Sequence, residues 1–83
     1  MKLNLEESKN LAEQYELRIR EREGFVVIGH AGKHSGYRVD EIIECIIKAN
    51  PKIEICSVSQ IIEQWGRFNF GVSGTRVFYK EKK

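Results

Sequence analysis

Eighty-three residues, 41% hydrophobic and 31% charged, suffice for one small domain with a thin core and argue against wholesale disorder. The net charge of +2 is too small to dictate a polyanionic partner, and no apolar run approaches the roughly 20 residues of a membrane span. The opening MKLNLEESKN has no apolar signal-peptide core, so a cytoplasmic protein is expected, and Cys45 and Cys56 fit neither a disulfide framework nor a zinc spacing.

The first predicted element is a helix over about residues 5–23. Asn4 and Glu7 form a capping-box-like pair, Leu11, Tyr15 and Ile19 recur at i+4, and Glu16 and Arg20 make a favourable pair. Gly24 is placed to end that helix in a left-handed conformation. Phe25-Val26-Val27-Ile28 follows as a strand covered on both faces. A glycine-rich run, Gly29 to Gly36, then breaks the pattern.

Val39, Ile42, Ile43, Ile46 and Ile47 lie at helical spacing with Asp40, Glu41, Glu44 and Lys48 opposite, and Asn50-Pro51 ends that second helix. Residues 52–57 alternate as a strand, with Ile53 and Ile55 on one face. Ser57-Val58-Ser59-Gln60 reads as the capping box of a short third helix that buries Ile61, Ile62 and Trp65 and closes at Gly66. Phe68, Phe70 and Val72, a Ser73-Gly74 turn, and Thr75, Val77 and Tyr79 read as a C-terminal hairpin.

The expected fold is therefore α+β, a single small domain over residues 1–83 in the order α-β-α-β-α-β-β. Its mixed sheet holds a parallel β-α-β unit and a C-terminal hairpin, with helices packed on the sheet. A core this small leaves a homodimer open as a further source of buried surface.

Charge is uneven along the chain. Residues 29–38 hold Lys33, Arg38 and two histidines without an acid, and residues 67–83 hold five basic groups against Glu81 alone. The glycine-rich run precedes a helix start, where unpaired N–H groups suit an anion. Gly29, Gly32, Lys33, Ser35 and Gly36 are thus candidates for an anion-binding loop. The spacing is neither that of a P-loop nor the dinucleotide fingerprint, so no nucleotide cofactor is implied. Val27-Ile28-Gly29-His30-Ala31-Gly32-Lys33 resembles the backbone-clamping GxxG loop of KH RNA-binding domains, a resemblance that implies contact with an RNA backbone. In that family the loop joins two helices, whereas here a strand precedes it.

On the hairpin, Arg76, Phe78 and Lys80 share a face near Arg67 and the terminal lysines, a combination suited to phosphate contact and base stacking. The expected function is a non-enzymatic module binding nucleic-acid phosphates through Lys33, His34, Arg38, Arg67, Arg76 and Lys80, with Phe78 stacking. A protein-binding inhibitor or adaptor of viral or mobile-element type is the alternative. A metal-independent ribonuclease using His30 and His34 is the third reading. The spacing of these histidines and the cysteines matches no common metal site.

Overall fold

The computed structural model describes residues 2–30, 38–64 and 66–82. Among these residues two helices and four strands follow in the order α1 (Glu6–Gln14), β1 (Leu17–Arg22), β2 (Phe25–His30), α2 (Val39–Ala49), β3 (Ile53–Gln64) and β4 (Phe70–Glu81). The strands form one sheet in the order β1-β2-β4-β3, and every pairing is antiparallel. The expected parallel β-α-β unit does not form, because β4 inserts between β2 and β3.

The first helix is shorter than expected. It stops at Gln14, where Tyr15 N–H donates to Ala12 O and Glu16 N–H to Glu13 O. Glu16 then adopts φ 59°, a left-handed turn that redirects the chain into a strand. Leu17-Arg-Ile-Arg-Glu-Arg is ambiguous in period: Ile19 continues the i+4 stripe of Leu11 and Tyr15, while Leu17 and Ile19 also alternate with arginine. Pairing with β2 selects the strand, from Leu17 opposite His30 to Arg22 opposite Phe25. Gly24 has the expected positive φ, 83°, but it closes this two-residue hairpin rather than a helix.

The third helix is absent. Residues 57–64 belong to β3, which pairs with β4 from Ile53 opposite Glu81 to Gln64 opposite Phe70. Ser57-Val58-Ser59-Gln60 alternates as well as it caps, and the β-branched Val58, Ile61 and Ile62 favour a pleated surface. Ser73-Gly74 is not a turn either. The chain runs through it as β4, with a register shift where Ile61 faces Gly74 and Ile62 faces Val72, so that Ser73 is the extra residue of a bulge. The hairpin turn lies instead between Gln64 and Phe70.

The core fills one face of the sheet. Leu17, Val26, Ile28, Ile53 and Val77 pack with Ala12, Val39, Ile42 and Ile46 of the helices and with Leu3 and Leu5. The second helix matches its expected stripe and its end at Asn50, although Ile47 remains exposed. Asn50 pins the N-terminal segment to this helix. Its Oδ1 accepts from Asn4 N–H at 2.7 Å, and its Nδ2 donates to Asn4 O at 2.9 Å and to Ile46 O at 2.8 Å.

Asn50→Ala removes all three bonds at a buried site and is expected to lower unfolding free energy by about 2–3 kcal/mol in urea titrations. Glu16→Gly relieves a left-handed side-chain clash and is expected to raise stability by up to about 1 kcal/mol. A lowered melting temperature for Glu16→Gly would contradict the left-handed corner.

Candidate nucleic-acid interface

Residues opposite one another in an antiparallel sheet share a face, and neighbours along a strand alternate. The face away from the helices can therefore be read as three rows. One runs Arg22, Phe25, Phe78 and Ser57, the next Arg20, Val27, Arg76 and Ser59, and the third Arg18, Gly29, Gly74 and Ile61. Phe25 and Phe78 lie side by side at the middle of the first row, ring centroids 5.1 Å apart and tilted by 31°. Both rings and Val27 are half-buried, whereas Arg18, Arg20, Arg22 and Arg76 are exposed.

No salt bridge among the described residues involves any of these four arginines. Arg22 donates to the Glu21 carbonyl at 3.2 Å. Arg18, Arg20 and Arg22 recur every second residue along β1, about 6.8 Å apart along the strand. That interval resembles the spacing of successive phosphates along an extended single strand. Across the sheet, the glycine pair leaves low ground beside Arg18. A side chain at Gly29 would meet only the Arg18 carbonyl, at 3.7 Å, while Gly74 is partly roofed by Ile61, whose Cδ1 would lie 3.2 Å from an added Cβ. Paired glycines within strands allow a ligand to approach the backbone.

The expected site residues divide among several places. Arg76, Phe78 and Lys80 alternate on β4 and lie on the open face, and Gly29 lies on that face in β2. Lys80 forms an ion pair with Glu54 at 3.3 Å. Arg67 sits in the β3–β4 connection, its guanidinium 5.7 Å from the Phe68 ring centre, and its carbonyl accepts from Gln64 Nε2 at 3.0 Å. Arg38 lies on the helix side, at the start of α2. It bonds Glu41 at 2.9 Å and lies 5.3 Å over the Tyr15 ring, while the Tyr15 hydroxyl donates to Glu41 at 2.6 Å. Gly32, Lys33, His34, Ser35 and Gly36 lie outside the described residues, as do Tyr37, Trp65 and the histidine-pair reading.

The Tyr15–Glu41–Arg38 group is internally satisfied. The Tyr15 hydrogen bond and the Arg38 guanidinium hold the Glu41 carboxyl below its ordinary range, and the same bond raises the Tyr15 hydroxyl. Because the folded-state value of Glu41 is lowered, its contribution to stability is present at neutral pH and lost as pH falls through that value. Burial, with the Glu21 charge second, also raises Tyr79.

Arg18, Arg20, Arg22, Phe25 and Val27 join this face through the pairing of β1 with β2, beyond the residues expected from the sequence. A helical reading keeps Arg18 and Arg22 on one face and carries Arg20 to the other, whereas the signal that joins all three is the strict alternation of Leu17-Arg-Ile-Arg-Glu-Arg. Among the described residues no group of histidines, cysteines and carboxylates could hold a metal ion, and no helix is long and apolar enough to cross a membrane. No protein-family model, curated protein or solved structure matches the chain.

The open face has a mechanical consequence that can be measured. Gly74→Ala places a methyl 3.2 Å from both the Ile28 carbonyl and Ile61 Cδ1. It is expected to destabilise the fold by about 1–3 kcal/mol in urea titrations, whereas Gly29→Ala, with room above it, is expected to change stability by less than about 1 kcal/mol. Equal effects at the two positions would contradict this asymmetry.

Proposed function

We propose that the chain is a non-enzymatic module that binds single-stranded nucleic acid on the open face of its sheet. Bases stack on Phe25 and Phe78, and phosphates are held by Arg18, Arg20, Arg22 and Arg76. The observation that carries this reading is an aromatic pair flanked by exposed arginines that form no salt bridge among the described residues, on a sheet face that neither helix covers. Aromatic platforms beside cationic tracks suit a single strand, because any base offers a π-face and any backbone offers phosphates. A four-stranded sheet face is broader than the helix or two-stranded ribbon that a major groove admits, so the preference is for unpaired strands.

The test is fluorescence anisotropy of labelled mixed-sequence single-stranded DNA and RNA across a salt series. Four arginine contacts predict a slope of about −2.8 in log K against log salt. The triple variant Arg18→Gln, Arg20→Gln, Arg76→Gln should reduce the slope to about −0.7 while leaving folding unchanged, since these side chains are exposed. Phe78→Leu keeps the apolar packing, removes the ring and should weaken binding roughly 5- to 150-fold. Absence of binding at low salt would refute the proposal.

One observation favours a protein-binding module as a second reading. Phe68 and Phe70 are 83% and 64% exposed near the hairpin tip, beside Ile62 at 56%. On that reading Phe68→Ser with Phe70→Ser abolishes function and leaves nucleic-acid affinity at background.

A further inference from the structure

β3 is an edge of the sheet: among the described residues its one strand neighbour is β4. At 12 residues it is about twice the length of a typical strand. Proteins commonly guard such edges with lysine, proline, short strands or bulges. Here the stretch Cys56–Ile62 contains no charge and no proline, and includes three β-branched apolar residues. The bulge in β3 sits at its start, between Ile55 and Ser57, while the second irregularity takes its extra residue from β4. From Ser57 to Gln64 the outer edge is therefore continuous.

We propose that this edge pairs antiparallel with the same edge of a second copy, joining two four-stranded sheets into one of eight. An uncharged edge that can pair with itself suits a second copy, and the charge pattern sets the orientation. A twofold axis through Ile61 places Ser59 opposite Glu63 of the other copy, Gln60 opposite Ile62, and Val58 opposite Gln64, so no like charges meet. A parallel, in-register pairing would instead set Glu63 against Glu63 and Glu54 against Glu54, an unfavourable apposition.

The same register gives the exposed apolar groups of the strand their neighbours. On the helix side of the sheet, Val58 and Ile62 are 50% and 56% exposed. Across the joint, Ile62 lies diagonal to both Val58 and Ile62 of the second copy, within reach of apolar contact. The contact is isologous, as a closed dimer requires. It also removes an uncharged, β-prone edge that would otherwise template aggregation. Pairing through this edge does not depend on nucleic-acid binding.

The experiment is light scattering after size exclusion, with sedimentation velocity, over the low- to high-micromolar range. The wild-type chain should approach twice its 9.7 kDa mass. Ser59→Glu places two carboxylates opposite each other at each of two symmetric positions and should shift the protein to monomer, while Ser59→Lys, facing the same glutamates, should remain dimeric. Adding Glu63→Lys to Ser59→Glu should restore the dimer. Circular dichroism and urea titration of each variant separate loss of assembly from loss of folding. A wild-type monomer throughout the range, or a Ser59→Glu variant that folds and stays dimeric, would overturn the proposal.

Discussion

Alternation along four antiparallel strands divides the sheet into two faces of different chemistry, and two short helices suffice to cover one. Val26, Ile28 and Val77 point to the helices and lose nearly all solvent contact. Their neighbours Phe25, Val27, Arg76 and Phe78 point the other way, because a pleated strand offers no third direction. This division fixes the rest of the molecule. A slip of one residue between β1 and β2 would carry Leu17 and Ile19 to the open face and bring Arg18 and Arg20 into the apolar core. The register and the arginine track are thus consequences of the same burial.

That dependence explains which parts of the fold could be read from residue order. α2 is legible because five apolar residues at helical spacing have no alternating interpretation, and Asn50-Pro51 marks its end. β2 is legible as a strand because three of Phe25-Val26-Val27-Ile28 are β-branched and the run is flanked by Gly24 and Gly29, but the expected cover on both faces is not found: Val26 and Ile28 are buried, whereas Phe25 and Val27 are only half-buried on the face away from the helices. Residues 17–22 and 57–64 satisfy both periodicities, so the decision rests on partners distant in sequence. The stop of α1 at Gln14 rests on Glu16 in a left-handed conformation, which no glycine or asparagine advertises. The adjacent isoleucines at 61 and 62 look like a helical stripe, yet they serve opposite faces of a strand, one over Gly74 and the other beside Val72.

The candidate surface was legible to a similar extent. Arg76, Phe78 and Lys80 share a face under any strand assignment, because alternation alone places them there. The arginines of β1 become part of that surface only when β1 is a strand, and Phe25 meets Phe78 only when β4 lies beside β2. Conversely, Arg38 and Lys80 have local carboxylate partners in Glu41 and Glu54, which lowers the positive potential each offers to a ligand. The exposed cationic character of the sheet therefore comes chiefly from Arg18, Arg20, Arg22 and Arg76, flanking rings that are only half covered.

The division into a covered and an open face is tested most directly by NMR titration with an unlabelled single-stranded oligonucleotide. Aromatic resonances of Phe25 and Phe78 and the Nε–H signals of Arg18, Arg20 and Arg76 should shift together, while methyl signals of Ile42 and Ile46 stay in place. Shifts concentrated on the helix side, with the Phe25 and Phe78 rings unmoved, would contradict the assignment of the open face as the binding surface.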